Sequence, residues 1–108
     1  MISLIVIIAW RYHKKVIRGF RDKEAERSFL RQRFRKLGSD VQRIAQRKLA
    51  MLDAAHSLQD LRIPPRNRRE KLSGDREGQY SIRINDQWRV CFRWEEGMVD
   101  DVEITDYH

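Results

Sequence analysis

The chain has 108 residues, of which 41% are hydrophobic and 36% charged, and its net charge is +7. This length suits one small domain with a single packed core and excludes two such domains. The one cysteine, Cys91, excludes an internal disulfide and favours a reducing cytoplasm. The three histidines lack metal-ligand spacing, so we expect no metal and no cofactor.

Positive charge is concentrated in two parts of the chain. Eleven basic and four acidic residues lie between Arg18 and Lys48, and five bases accompany one acid between Arg62 and Lys71. Residues 95–106, by contrast, contain six acids and no base. A basic surface of this size predicts contact with a polyanion such as nucleic acid, although such charges can also do no more than solvate the helices that carry them.

The first fifteen residues, MISLIVIIAWRYHKK, differ from the rest. The apolar run over residues 2–10 is too short for a membrane span, and its positive charges follow it, unlike those of a signal peptide. Three interpretations remain: an extra strand, a weak membrane-surface anchor, or residues translated from upstream of the true start. We favour the last, which predicts a domain over residues 16–108 and no membrane partner.

The organised part of the chain begins with a strand and two helices. The branched and aromatic residues of VIRGF, 16–20, predict a short strand. Asp22 then N-caps a helix that we expect to run to about Leu37 and to end at Gly38 in the C′ position. One face of this helix is apolar and is expected to meet the core: Ala25, Phe29, Leu30, Phe34 and Leu37.

A second helix follows at once. Ser39 and Gln42 have the spacing of a capping box, and the apolar stripe ends near His56. The stripe consists of Val41, Ile44, Ala45, Leu49, Leu52 and Ala55. The pattern therefore predicts a helical hairpin whose arginines and lysines point away from the core.

Residues 61–78 form a basic connector, where Pro64 and Pro65 prevent a continued helix. We assign its arginines to RNA contact: Arg62, Arg66, Arg68 and Arg69. Three strands are predicted next, over about 80–84, 88–94 and 98–104, and Glu96-Gly97 supplies the second hairpin turn. The expected fold is therefore α+β, with a strand and a helical hairpin packed on a small, curved antiparallel sheet.

Two arginines interrupt the first two of these strands. Their apolar faces meet on one side only if Ile84 lies opposite Trp88, which makes residues 85–87 a three-residue loop and sets Arg83 opposite Arg89. Two facing like charges are unfavourable unless an anion or an acid lies between them. The pair is therefore either screened by water and the acids of the last strand, or a seat for phosphate, which guanidinium groups can bind through two oxygens.

The last strand is followed by Tyr107 and His108. An imidazole, a phenol and two guanidinium groups on one sheet surface are what a metal-free ribonuclease needs to transfer protons and to stabilise charge on phosphorus. The α-carboxylate of His108 should favour its imidazolium form and so its role as the acid.

The sequence resembles the HigB toxins of the RelE/ParE-like superfamily, also called plasmid maintenance system killer proteins. The resemblance covers residues 16–108 and rests on four stretches: FRDKEAERSF, LAMLDAAHSLQDLRIPP, LSGDREGQYSIRINDQWRVCFRWEEG and VEITDYH. It implies two helices on an antiparallel sheet. It also implies a toxin that enters the ribosomal A site and cuts messenger RNA without metal, a helix-turn-helix antitoxin similar to HigA, and contact with operator DNA only through that antitoxin.

The resemblance also implies roles for particular residues. Arg83 and Arg89 would bind the scissile phosphate and His108 would transfer a proton, with Tyr107 and Asp106 in support. Relatives can carry a histidine and a lysine where this chain has Glu70 and Ser73, so Glu70 or Lys71 is the candidate for the second proton-transfer group. Two other functions stay open: a basic module that binds RNA or DNA without cutting it, and a poison of gyrase like the ParE toxins.

Overall fold

A computed structural model describes residues 16–30, 32 and 37–106 of the chain. The fold class is α+β, as the sequence predicts, and its four antiparallel strands follow one another in the order β1-β2-β3-β4. The elements are α1 (Lys23–Phe29), α2 (Ser39–Asp53), β1 (Glu70–Lys71), β2 (Gln79–Arg83), β3 (Trp88–Glu95) and β4 (Met98–Asp106). The prediction for the first fifteen residues lies outside the described residues.

The predicted first strand, residues 16–20, runs parallel to β4 and is held by single bridges. Ile17 bridges to Val99 and Phe20 to Val102. At Gly19 an added Cβ would lie 2.5 Å from the Asp100 carboxylate. This segment and β4 therefore approach closely because residue 19 has no side chain. The segment therefore extends the sheet beyond β4.

Helix α1 begins as predicted and is shorter than predicted in its described part. Asp22 Oδ1 accepts the Ala25 N–H at 2.6 Å, and Asp22 Oδ2 accepts the Ile104 N–H at 3.0 Å, so one carboxylate caps the helix and ties it to β4. The helix ends at Phe29, with Leu30 as its C-cap. Leu30 is 55% exposed, so its predicted place in the core is wrong. Residues 31 and 33–36 lie outside the described residues.

Helix α2 starts one residue earlier than a capping box with Ser39 as N-cap requires. Gly38 is its N-cap, and Ser39 is already helical, so the predicted pairing of Ser39 with Gln42 does not form. Gln42 instead donates its side-chain amide to the carbonyl of Gln32 at 2.5 Å. Gly38, predicted to end the first helix, therefore begins the second. At the other end of α2, the buried Asp53 carboxylate accepts the N–H groups of residues 16 and 17, both at 2.9 Å.

The basic connector is more ordered than its proline content suggests. The 3₁₀ helix Leu58–Arg62 leads into it, and it contains two more 3₁₀ helices, Pro65–Asn67 and Gly74–Arg76, and the short strand β1. The sequence pattern predicts none of these elements. β1 pairs with β2 at the edge of the sheet. The Glu96-Gly97 turn is confirmed, because both residues have positive φ and join β3 to β4 directly.

The core lies between the helices and one face of the sheet. The predicted stripe of α2 faces it, with Ala45, Leu49 and Leu52 fully buried. The sheet contributes the apolar faces of its long strands, including Ile82, Val90, Phe92 and Val102. No helix in the described part of the chain is long and apolar enough to cross a membrane.

Candidate functional site

The hairpin of β2 and β3 places two arginines opposite each other. Arg83 pairs with Arg89 in the register of the sheet, and the N–H of Ile84 donates to the carbonyl of Trp88 at 2.9 Å. Residues 85–87 are therefore the three-residue connection that the sequence predicts. A shift of one residue would turn the apolar side chains of one strand away from the core, and burial excludes that shift.

Arg89 lies off the hydrophobic core, as predicted, but it is itself buried, with 6% of its surface exposed. Its Nε donates to Ser81 Oγ at 2.8 Å, and its Nη2 donates to the Arg68 carbonyl at 2.5 Å. The connector before β1 thus contacts and covers this side chain, which the alternation of side chains alone does not reveal. Its guanidinium group is held in one orientation by fixed acceptors.

Arg83 has a different environment. Its side chain is 28% exposed and forms an ion pair with the carboxylate of Asp86, which is fully exposed in the turn. Arg83 also lines a groove that runs between α2, the connector and the end of β2. Of the two predicted arginines, Arg83 is therefore the one that a ligand reaches from solvent.

The groove has a volume of about 380 Å³ and is both cationic and apolar. No acidic or aromatic residue lines it, in the part of the chain that the structure describes. Its lining residues are Ile44, Arg47, Lys48, Met51, Pro64, Arg66, Arg83 and Ile84. In the sequence, Arg47 and Lys48 stand out only as part of a basic region, because their proximity to Arg66 and Arg83 depends on tertiary packing.

Lys48 stands at the wall of the groove in a fixed position. Its Nζ donates to Asn67 Oδ1 at 2.6 Å. Burial lowers the pKa of the Lys48 ammonium below its usual value, and the charges of Arg47, Arg83 and Arg66 lower it further. Repulsion by the neighbouring arginines thus adds to the effect of burial on Lys48.

The four connector arginines have different positions. Arg66 lines the groove, and Arg62 is exposed. Arg68 is exposed, but its carbonyl supports Arg89. Arg69 is half-buried, donates to the Leu58 carbonyl at 2.9 Å and lies 5.9 Å from the centre of the Tyr80 ring. The contacts of Arg69 are therefore internal, and the structure brings only Arg66 into the groove.

Glu70 and Lys71, the two candidates for the second proton-transfer group, lie on opposite faces of the sheet in β1. Glu70 pairs with Ser81, whose hydroxyl holds Arg89, whereas Lys71 pairs with Tyr80 on the apolar face. Directly opposed residues of antiparallel strands point to the same side, so Glu70 shares the face of the two arginines and Lys71 does not.

The end of β4 lies beside the turn that carries Asp86. Asp106 pairs with Trp88, and its Oδ2 accepts from the side-chain amide of Gln87 at 3.1 Å. The final residues, Tyr107 and His108, lie outside the described residues. The last described residue therefore stands at the same end of the sheet as Arg83.

The acids around β4 bind other arginines. The sequence left open a screening of Arg83 and Arg89 by acids of the last strand. The ion pair of Arg83 is with Asp86 in the turn, whereas Asp100, Asp101 and Glu103 pair with other arginines. The pairs that form are Arg18–Asp100 at 3.1 Å, Arg76–Glu103 at 3.2 Å, Arg93–Asp101 at 3.1 Å and Arg21–Glu103 at 3.8 Å.

Cys91 is fully buried in β3, and burial raises the pKa of its thiol. This confirms the prediction that it acts as a small hydrophobic residue. Across residues 16–30, 32 and 37–106, no group of three His, Cys, Asp or Glu side chains is placed to hold a metal ion.

Comparison with known proteins places residues 18–108 in one family. They match the family model for HigB-like toxins, described as the RelE-like toxin of the type II toxin-antitoxin system HigB. Toxin HigB-1 of Vibrio cholerae is 44% identical over 80 residues, which cover 73% of this chain and 84% of that protein. A Haemophilus influenzae protein of uncharacterised function is 36% identical over 67 residues, covering 62% of this chain and 66% of that one.

The fold has a counterpart among solved structures. A YoeB-YefM toxin-antitoxin complex from Staphylococcus aureus, described as heterotetrameric, contains a chain that matches with a TM-score of 0.50 and 20% identity. The match covers 85% of this chain and 94% of that one. At this identity the likeness concerns the arrangement of helices and strands.

Proposed function

Because the chain belongs to the HigB-like family of RelE-like toxins of type II toxin-antitoxin systems, we propose that it is a metal-free endoribonuclease that cuts messenger RNA on the translating ribosome. The observation that carries the proposal is the cross-strand pair of Arg83 and Arg89 at the end of the sheet where β4 finishes. Arg83 is the guanidinium group that a phosphate under attack can reach, and the buried Arg89 opposite it adds positive potential to the same site.

The proposed reaction is an attack by the ribose 2′-oxygen on the adjacent phosphorus. The P–O2′ bond forms and the P–O5′ bond breaks, which leaves a 2′,3′-cyclic phosphate and a free 5′-hydroxyl. A base takes the proton of the 2′-hydroxyl, and an acid supplies a proton to the departing 5′-oxygen. Both groups come from the protein, so no metal takes part in the scheme.

His108 is the proposed acid, from the resemblance to HigB toxins, with Tyr107 and Asp106 as its neighbours. Glu70 is the proposed base, because the register sets its side chain on the face that carries Arg83 and Arg89. Lys71 lies on the opposite face and is therefore the weaker candidate for the base. The carboxylate of Glu70 would accept the proton directly when the RNA lies over that face.

The proposed partner that holds the toxin inactive is a small helix-turn-helix antitoxin similar to HigA. In this scheme operator DNA is contacted through the antitoxin, and the toxin contacts the ribosome and its message. The family membership supports the existence of such a partner, and a short helix-turn-helix gene beside the toxin gene is the corresponding expectation.

The experiment compares induced expression of the full chain with a chain that lacks only His108. The full chain should arrest growth and cut messages within translated regions, and the cuts should vanish when the start codon of a reporter message is destroyed. The shortened chain should do neither. Thermal unfolding of both proteins, which should agree within a few degrees, shows that the loss is one of chemistry.

Three results would contradict the proposal in different ways. Equal toxicity of both chains would remove His108 from the reaction. DNA breaks with intact messages would identify a gyrase poison. Growth arrest with intact messages and intact DNA would identify a basic module that binds without cutting.

A further inference from the structure

The groove beside Arg83 combines features of an anion site that the proposed cleavage chemistry does not use. Its walls carry Arg47, Lys48, Arg66 and Arg83, and no acid lines it within the described residues. The nearest ion pair joins Arg83 to Asp86, whose carboxylate is fully exposed in the turn. Arg83 thus has an acid partner at the turn, but the clustering of Arg47, Lys48 and Arg66 beside it is unfavourable in the free protein, and a bound anion relieves that repulsion.

One cation of the groove is held ready by the fold. Asn67 is fully buried, and its amide nitrogen donates to the Leu61 carbonyl at 3.1 Å and to Met51 Sδ at 3.0 Å. Its oxygen accepts from Lys48 Nζ at 2.6 Å, which is the one hydrogen bond of this ammonium group among the described residues. Lys48 therefore stands fixed at the wall, and its other N–H donors remain for a ligand.

Building on the proposed ribonuclease function, we propose that this groove binds the RNA backbone at a phosphate next to the scissile one, with Arg83 shared between the two positions. The sharing follows from position, because Arg83 both faces Arg89 across the hairpin and lines the groove. A strand held at the arginine pair must leave it along a neighbouring surface, and the groove is the cationic surface that adjoins it.

The lining also determines what this second site recognises. The apolar part of the lining consists of Ile44, Met51, Pro64 and Ile84, which suit the apolar face of a ribose. In the described part of the chain, no aromatic side chain on which a base could stack lines the groove. Contacts to phosphate carry affinity without sequence information. The groove therefore adds binding strength and salt dependence and leaves the choice of codon unchanged.

The test measures the affinity of the wild-type full chain for a short 2′-O-methyl RNA strand, which lacks the attacking hydroxyl and is not cut. The strand is used alone and as a message on ribosomes. Neutral methylphosphonate linkages replace the phosphates one at a time. At one linkage beside the cut site, wild-type affinity should fall roughly tenfold, the effect expected for loss of a hydrogen-bonded charge.

The matched variant is Arg47→Gln with Arg66→Gln, since both side chains are exposed and contribute little to stability. This double variant should bind the unmodified strand more weakly, and its slope of log Kd against log salt should be lower by about 1. A methylphosphonate at the linkage that weakens wild-type binding should not reduce the affinity of the variant further. Lys48→Met should behave alike. Arg43→Gln is the control, because Arg43 lies on the same helix, pairs with Asp40 and does not line the groove.

Several outcomes overturn the inference. A phosphate in the groove would be excluded if the affinity losses from the groove variant and from the methylphosphonate were additive at every linkage. It would also be excluded if the strand had no measurable affinity, alone or on ribosomes, or if Arg43→Gln had the same effect as the groove variant. RNA binding that is unchanged while antitoxin binding is lost would make the groove a protein-docking surface. Cleavage by the wild-type chain is measured in parallel, so a groove signature without cleavage would refute the proposed function and leave the groove assignment intact.

Discussion

The positive charge of this protein lies in two regions with opposite surroundings. Along β4 and the segment of residues 16–21, arginines meet carboxylates, as in the pairs Arg18–Asp100 and Arg76–Glu103. In the groove, Arg47 and Arg66 meet no carboxylate among the described residues. A count of basic residues therefore does not locate an anion site, because the neighbouring acids decide which cations remain available.

The largest expected effect separates two arginines of the same hairpin. Arg83→Ala should reduce ribosome-dependent cleavage by about 10²- to 10³-fold, the range measured when one donor to a reacting oxyanion is removed. Arg93→Ala removes the same charge from the same sheet face, but Arg93 lies opposite Gln79 at the other end of the hairpin and does not line the groove, so cleavage should change by less than about fivefold. Equal losses in quantitative cleavage assays would show that total charge matters more than position.

Arg89 should behave as a structural and functional residue at once. Arg89→Ala leaves Ser81 Oγ and the Arg68 carbonyl without their donor in a buried place, so the free energy of unfolding should fall by about 2–3 kcal/mol. Arg83→Ala should lower it by less than about 1 kcal/mol. Urea unfolding of both variants makes this comparison, and equal midpoints would contradict the burial of Arg89.

Removal of the Asp86 carboxylate, which pairs with Arg83, should increase the affinity for RNA. Asp86→Asn removes the carboxylate that pairs with Arg83, so affinity for the uncleavable RNA strand should rise roughly threefold at low salt and return to the wild-type value at high salt. Asp40→Asn, on the surface of α2, is the control. Weaker RNA binding by Asp86→Asn would mean that the ion pair positions Arg83 for its ligand.

The smallest expected effect concerns Cys91 in β3 and the dependence of the free energy of unfolding on pH. Burial raises the pKa of the Cys91 thiol above its usual value of 9.0, so the unfolded chain loses this proton first. The contribution of Cys91 is therefore fully present below pH 9 and is lost as the pH rises through the pKa of the folded thiol. Replacement by alanine should flatten the loss of stability between pH 8.5 and 10 by a few tenths of a kcal/mol, about the size of a minor surface effect.

The hairpin was predictable because several local constraints agree. Alternation of apolar and polar residues, and the need to bury both apolar faces together, left one register, and it set Arg83 opposite Arg89. The Glu96-Gly97 turn was predictable because Gly97 readily adopts the positive φ that a two-residue hairpin turn needs; Glu96 also adopts positive φ there. In these places the physical cause lies within a few residues of its effect.

The burial of Arg89 and the groove were not predictable from local pattern. Both depend on the connector, where Arg68 adopts a left-handed conformation at φ 41° and Asn67 is buried against α2. The end of α1 was likewise not predictable from the local sequence pattern. Gln42 of the second helix holds the carbonyl of Gln32, so a contact ten residues away competes with the helical propensity of the segment.

The pairing of residues 16–20 with β4 has a consequence for how the toxin is made. Val99 and Val102 exchange backbone hydrogen bonds with this early segment, and the Asp22 carboxylate binds the N–H of Ile104. Contacts between such distant parts of the chain close only after the second part has been synthesised and has emerged from the exit tunnel. A growing polypeptide thus lacks the partner that residues 16–20 require, and completion of the toxin's fold waits until β4 has left the exit tunnel.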